Sequence, residues 1–367
     1  MQKIQQFVFA ALLACAAAGA GAQDTTPSVE VQGVKNPDMR SYRAVVAGLD
    51  AFDKHHALAP AVPALRFRLA PQSGAEQAAA DAAAADPIYL RIVGNGDPIP
   101  VPVAADGTFT VPRVESAIDD DADLVLNRKK GVLKGRPEVR TPGLPDNVRR
   151  LGDLRLECQV IVAIGKKEIG LMLTLFVNTV AMTTNWCDMS FNKKKVNFWF
   201  ASLRALDGAQ IVDGERRLTL DAHDFSFQAP IAEADWSDEA RIELRYAPEL
   251  TEEEKANPWL QTLFVSGAIN ERDQRQPLRK LDDGTYTLEL ELEKGTHSLK
   301  VGTRGLRAIN LGAQGDGDKR QLAEDVAAPL EKRGKSLKLK VEQAGRYAVT
   351  LDARDKEAPT LRVARLP

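Results

Sequence analysis

The sequence predicts a mainly β, secreted protein with an N-terminal helix, a central β-sandwich-like domain and a C-terminal β-sandwich. Three observations predict this fold class. Apolar and polar residues alternate over residues 286–292 and 337–341, which is typical of antiparallel strands with one buried face. Turn pairs such as Asp106-Gly107 separate further short strands. An apolar stretch follows Lys3 at the N-terminus, which is typical of an export signal.

Residues 1–22 are predicted to be a signal peptide. Lys3 supplies the positive start, and Ala20-Gly21-Ala22 is a small-residue cleavage site after the apolar stretch. A second interpretation is a lipobox at Leu12-Leu13-Ala14-Cys15, in which Cys15 would carry a lipid anchor. Both interpretations predict a periplasmic or secreted bacterial protein, and the choice between the two processing routes stays open.

Composition and cysteine content limit the classes of function that the chain can have. The chain has 367 residues and a net charge of −2, which argues against a nucleic-acid partner because such proteins are usually basic. No apolar run beyond the N-terminus is long enough to predict a transmembrane span. After the signal peptide, Cys158 and Cys187 remain, and an even pair in an oxidising compartment predicts a disulfide. Two unrelated buried thiols are the alternative.

The predicted domain organisation has three parts after the signal peptide. Residues 23–86 form a leader, with an amphipathic helix over 37–56 that starts at Asn36-Pro37 and an alanine-rich linker over 74–86. Residues 87–250 form the central β-rich domain. Residues 258–367 form the C-terminal β-domain, after a boundary near Pro258.

Four stretches of the central domain have a predicted structure or role. Alternation through Cys158, over residues 154–162, predicts a strand, while the very apolar residues 169–182 fit a helix or a buried strand. Residues 129–145 are basic and rich in Gly and Pro, which predicts a long loop and a candidate contact surface. Trp199 should face outward, either as a platform for a ligand or under a neighbouring loop.

The sequence shows no convincing catalytic or metal-binding constellation. His55-His56 and the lone His223 lack further ligands or a paired nucleophile nearby. There is no nucleophile elbow and no phosphate-binding loop. We therefore predict no catalytic residues, no metal and no cofactor, although a glycosidase carboxylate pair cannot be chosen from sequence alone.

From Leu263 onwards, turns and strands follow a distinctive order. Residues 281–286 lead into the alternating strand, and Glu293-Lys294-Gly295 forms a turn before a strand over 297–302. Residues 344–352 form the strand that precedes the last strand of the chain. This order resembles the immunoglobulin-like carbohydrate-binding module of bacterial pullulanases and is similar to glycogen- and starch-binding modules. The resemblance implies an immunoglobulin-like sandwich that binds α-glucan. It implies no hydrolase activity, because the chain has no room for the catalytic barrel, and it does not extend to residues 23–250.

The resemblance also implies a ligand site. Lys300 and Asn310 match the family pattern and could hydrogen-bond a glycan. The family usually presents an aromatic residue between them, whereas residues 303–309 contain Arg304 and Arg307 and no aromatic. These arginines would suit an anionic partner, because a guanidinium binds carboxylate or phosphate bidentately. Trp259 is the aromatic candidate in this domain.

The sequence thus predicts a non-catalytic periplasmic or envelope protein that binds glycan or polysaccharide through its C-terminal sandwich. The alternative is a scaffold protein that binds an envelope protein partner, through residues 129–145 or exposed sheet edges, without glycan binding. A hydrolase is the third hypothesis. An exposed aromatic shelf from Trp259, Tyr286 or Trp199 would favour glycan binding, and burial of all three would favour a scaffold.

Overall fold

The computed structural model describes residues 34–71, 87–181, 183–191, 194–195, 197–267, 276–281 and 283–367. The predicted signal peptide, Cys15 and the alanine-rich linker over 74–86 lie outside the described residues. The described chain is mainly β, as predicted, with several sheets and a near-closed sandwich at its C-terminal end.

The first part of the described chain has two small antiparallel sheets and two helices. Its elements are β1 (Pro37–Ser41), α1 (Tyr42–Lys54), β2 (Arg66–Pro71), β3 (Leu90–Val93), β4 (Ile99–Val101), β5 (Thr108–Phe109), α2 (Glu115–Asp119), β6 (Asp123–Lys129) and β7 (Leu133–Glu138). The sheets have the orders β1-β6-β3-β4 and β5-β2-β7. Helix α1 buries Tyr42, Val45, Leu49 and Phe52 in the core between them.

The predicted helix over 37–56 begins later than expected. Residues 37–41 form strand β1, which pairs with β6, and Asn36 has a φ of 57°, so it is not the helix cap. Pro37 is tolerated because β1 is an edge strand of its sheet. The helix itself covers Tyr42–Lys54.

Two elements link this part to the next. Strand β8 (Val148–Arg150) leads directly into α3 (Leu151–Ala181), which is interrupted at Gly170, where φ is 76°. The strand predicted over residues 154–162 is therefore wrong, because this segment is helical. The helical interpretation of residues 169–182 is correct as far as Ala181, where α3 ends; Met182 lies outside the described residues.

Burial on two sides of α3 explains the error. Leu156, Val160 and Ile164 pack into the first core. Leu151, Leu154 and Cys158 pack into a second core. A helix covered on two sides lacks the single apolar stripe that distinguishes a helix from a strand.

The second core lies under the strands that follow α3. These strands are β9 (Ser190–Phe191), β10 (Lys194–Lys195), β11 (Phe198–Ala201), β12 (Leu206–Asp213), β13 (Arg216–Leu220), β14 (Ala222–His223), β15 (Ser226–Ala229) and β16 (Arg241–Tyr246). They form the sheets β13-β12-β16-β8 and β11-β15-β14 and the pair β10-β9. The predicted disulfide is confirmed: Cys158 of α3 is bonded to Cys187, with Cα atoms 6.0 Å apart.

The C-terminal part forms a sandwich around a third core. Its elements are α4 (Glu252–Ala256), β17 (Phe264–Ser266), β18 (Gln276–Pro277), β19 (Arg279–Lys280), β20 (Thr285–Leu292), β21 (Gly295–Gly302), β22 (Asn310–Ala313), β23 (Gln321–Leu322), β24 (Ala328–Lys332), β25 (Leu337–Val341), β26 (Gly345–Asp352) and β27 (Thr360–Arg365). The alternation in β20 and β25 is confirmed, because Leu290, Leu337, Leu339 and Val341 are buried in this core. Among the described residues, no helix has the length and apolar character needed to cross a membrane.

Candidate ligand-binding sites

Two of the predicted sandwich residues lie on neighbouring strands. Lys300 is on β21 and Asn310 on β22, and Asn310 pairs with Gly302 in the register of these strands. Lys300 is half-buried, and this burial lowers the pKa of its amine. The side-chain Oδ1 of Asn310 is buried and has no hydrogen-bond partner within the described part of the chain. Each of the two polar groups is thus partly or wholly removed from solvent, on adjacent strands of one sheet.

Both predicted arginines contact the central region, and Arg307 is also exposed to solvent. Arg304 donates a hydrogen bond of 2.7 Å to the carbonyl oxygen of Leu206, and its guanidinium lies 2.8 Å from the carboxylate of Asp207. The guanidinium of Arg307 lies 3.2 Å from the ring centroid of Phe225. These contacts connect the loop between β21 and β22 to the loops around β12 and β15. Both terminal nitrogens of Arg304 therefore donate to protein groups.

The predicted aromatic residues do not form one exposed shelf. Tyr286 is 4% exposed and donates its hydroxyl hydrogen to the carbonyl oxygen of Trp259. Trp259 is half-buried, with its ring centroid 6.5 Å from that of Tyr286. Trp199 lies in the central region and is 42% exposed. Only the last of these three presents a large part of its ring to solvent.

Trp199 is on a wall of a cleft of about 380 Å³ between β7, α3, β11 and β16. Strand β11 is an edge strand, and its alternation is as predicted, with Phe200 buried and Trp199 outward. The ring of His223 lies 4.4 Å from the indole and supports it from one side. Tyr246 also lines the cleft, and its hydroxyl donates to the carbonyl oxygen of Asp146. Trp199 was a candidate from the sequence, whereas the cleft was not predicted.

The part of the cleft that β7 lines forms a second wall, which is basic. Strand β7 places Lys134 and Arg136 at alternate positions, both exposed, and both line the cleft. Arg136 lies directly opposite Arg68 in the register of β2 and β7. Arg68 is held by Glu138, 2.8 Å from its Nε, whereas no ion pair of Lys134 or Arg136 is found within the described residues. Because Glu138 already neutralises Arg68, Lys134 and Arg136 are the cations of this wall with which a bound anion could pair.

A buried ion pair forms the floor of the cleft. Arg149 Nη2 lies 2.9 Å from Glu157 Oε2, and the same oxygen accepts a hydrogen bond from the backbone N–H of Val139. Burial raises the pKa of Glu157, and the positive charge of Arg149 opposes that shift. Burial, together with Arg149, lowers the pKa of the neighbouring Arg140. The floor is therefore polar and crowded with guanidinium groups.

The predicted basic loop over 129–145 contains a strand. Residues Leu133–Glu138 form β7, so the prediction of a loop throughout is wrong. Gly135 and Pro137 concealed the strand, and both are tolerated because β7 is an edge strand. This segment supplies the basic wall of the cleft, and its use as a contact surface stays a prediction. Arg40 and Arg68 were not among the predicted site residues, although the alternation of Leu65, Phe67 and Leu69 does indicate the strand that carries Arg68.

The described residues hold no group of three His, Cys, Asp or Glu side chains that could bind a metal ion. No family model matches the chain, and no curated protein matches it either. A solved structure described as "Ligand induced structure of AmyP-SBD" is weakly similar, with 19% identity and a TM-score of 0.25. The similarity covers 29% of this chain and 73% of that chain. A TM-score this low supports no argument about fold or ligand.

Proposed function

We propose that this chain is a non-catalytic envelope protein that binds a glycan bearing acidic groups, and that the cleft beside Trp199 is its binding site. The observation that supports this most directly is the pairing of an exposed indole with a basic wall in one cleft. Aromatic faces contact the apolar C–H face of a sugar ring, and guanidinium groups bind carboxylates. Trp199 and Arg136 supply these two kinds of contact.

The charges of the cleft favour an acidic ligand over a neutral one. The side chains that line it include six cationic residues and four acidic ones, although the whole chain has a net charge of −2. Glu138 and Glu157 are already paired with Arg68 and Arg149. Lys134 and Arg136 are thus the cations most available to a ligand. A neutral α-glucan would leave them without a partner.

A second candidate site is the patch of Lys300 and Asn310 on the sandwich. The buried Oδ1 of Asn310, without a partner in the described structure, favours a hydroxyl donor from a sugar. Because this patch has no exposed aromatic residue beside it, we expect weaker binding there than in the cleft. The contacts of Arg304 suggest that the sandwich positions the central region.

Binding to immobilised polysaccharides tests the proposal. We expect retention on polygalacturonate or peptidoglycan, which carry carboxylates, and little retention on amylose or glycogen. A Lys134→Gln/Arg136→Gln double variant should lose retention, whereas Arg279→Gln, an exposed cation on β19, should keep it. If the parent is retained on amylose and a Lys300→Ala variant is not, the binding site would instead be assigned to the sandwich. Absence of retention on all four polysaccharides would contradict the proposal.

A further inference from the structure

After Gly170, residues 171–179 of α3 form an apolar helical segment whose side chains belong to none of the three described cores. Leu171, Met172 and Phe176 are 73%, 82% and 63% exposed. Leu175 is also exposed, and none of the described side chains over 171–179 is buried. Exposed apolar surfaces of this kind mark a site of contact with another molecule or with a membrane.

The segment has no charge of its own. The sequence contains no charged residue between Glu168 and Asp188. The main obstacle to placing a helix in lipid is the desolvation of ionised groups. Burial of the exposed side chains of this segment would desolvate none. The apolar segment is too short to cross a bilayer. It would therefore contact the interfacial layer of the membrane.

The structure holds the segment against the body of the protein. Asn178 accepts a hydrogen bond of 2.7 Å from Trp186 Nε1. Lys166 Nζ donates to the carbonyl oxygen of Thr184, and the disulfide fixes Cys187 to the first half of α3. The apolar side chains are thus presented outward on an ordered support.

Cations and an aromatic ring lie at the base of the segment. Lys166 Nζ is 5.0 Å from the ring centroid of Trp186, and Lys167 is exposed. Lysine and tryptophan beside an apolar helix are typical of the membrane interface, where the ammonium groups meet anionic headgroups.

We propose that residues 171–179 dock the protein on the surface of a membrane that contains anionic phospholipids. Leu171, Met172 and Phe176 would enter the acyl boundary, and Lys166 and Lys167 would contact headgroup phosphates. A symmetric dimer through this face is less favoured, because residues 169–187 offer no acidic side chain to Lys166 and Lys167 of the second copy. An anionic lipid surface attracts them instead.

Vesicle sedimentation tests the docking. The protein is purified after processing from a Cys15→Ser chain, so that no lipid anchor contributes. We expect sedimentation with phosphatidylcholine vesicles that contain phosphatidylglycerol, and less with pure phosphatidylcholine. A Met172→Gln/Phe176→Gln double variant should reduce partitioning at least about tenfold. The control double variant Leu218→Gln/Val326→Gln, at exposed apolar positions elsewhere, should bind like the parent.

Three outcomes would overturn the docking proposal. The first is no sedimentation of the parent with either vesicle. The second is equal sedimentation of the parent and the Met172→Gln/Phe176→Gln variant, when both show the same circular dichroism and thermal unfolding. The third is a dimer in analytical ultracentrifugation that this variant converts to a monomer, with no vesicle binding. That result would assign the segment to a contact between copies.

Discussion

The guanidinium of Arg304 lies 2.8 Å from the carboxylate of Asp207, 97 residues earlier in the chain. Arg304 belongs to the C-terminal sandwich and Asp207 to β12 of the central region. The same guanidinium donates to the carbonyl oxygen of Leu206. A residue predicted to contact ligand thus connects two parts of the protein.

This pair predicts an energetic coupling between the two parts. In a double-mutant cycle, Arg304→Ala and Asp207→Ala should show a coupling of about 0.5–1 kcal/mol, because both side chains are partly exposed to solvent. Denaturant unfolding at low salt measures it, and the coupling should shrink at high salt. The exposed pair of Lys332 and Glu357 within the sandwich serves as a comparison cycle. Strict additivity of Arg304→Ala and Asp207→Ala would show that the contact stabilises nothing.

The disulfide predicts a loss of stability on removal. Cys158 is in the core under the central strands, and the bond closes a loop with a separation of 29 residues. A Cys158→Ala/Cys187→Ala variant should unfold with about 3 kcal/mol less free energy. Urea unfolding of the oxidised parent, the reduced parent and the variant measures this. We expect the reduced parent to resemble the variant, and equal stability of all three would contradict the prediction.

The pair of Arg150 and Glu239 predicts a contribution to stability that depends on pH. A hydrogen bond from the buried Arg150 lowers the pKa of Glu239 below its ordinary value of 4.5. The folded state therefore favours the ionised carboxylate, so its contribution is present above pH 4.5 and is lost as pH falls through the lowered pKa. The difference in unfolding free energy between the parent and Glu239→Gln should shrink as the pH is lowered from 6 to 3. A difference that stays constant over this range would contradict it.

The sequence predicted the elements whose burial is one-sided. Strands β20 and β25 bury one face each, so their alternation was visible at Leu290 and Leu339. Helix α3 was predicted as a strand around Cys158, because it is covered on two sides. Strand β7 was predicted as part of a loop, because Gly135 and Pro137 are unusual inside strands. The missed elements are those in which tertiary contacts override the local pattern.

The cleft could not be predicted from local sequence. It brings together Arg40, Arg68, Arg136 and Trp199, which lie on four different strands. Their proximity depends on the pairing of β2 with β7 and on the position of α3. The disulfide could be predicted without knowledge of the fold, because only two cysteines remained after the predicted signal peptide.

Binding of an acidic oligosaccharide to the parent and to Trp199→Ala tests the central claim most directly. Isothermal titration with an oligogalacturonate measures the affinity, with Tyr89→Ala as a control at an exposed aromatic residue that does not line the cleft. The account predicts that the parent and Tyr89→Ala bind alike and that Trp199→Ala binds about tenfold more weakly. Equal affinity of Trp199→Ala and the parent, or no binding by the parent, would contradict it.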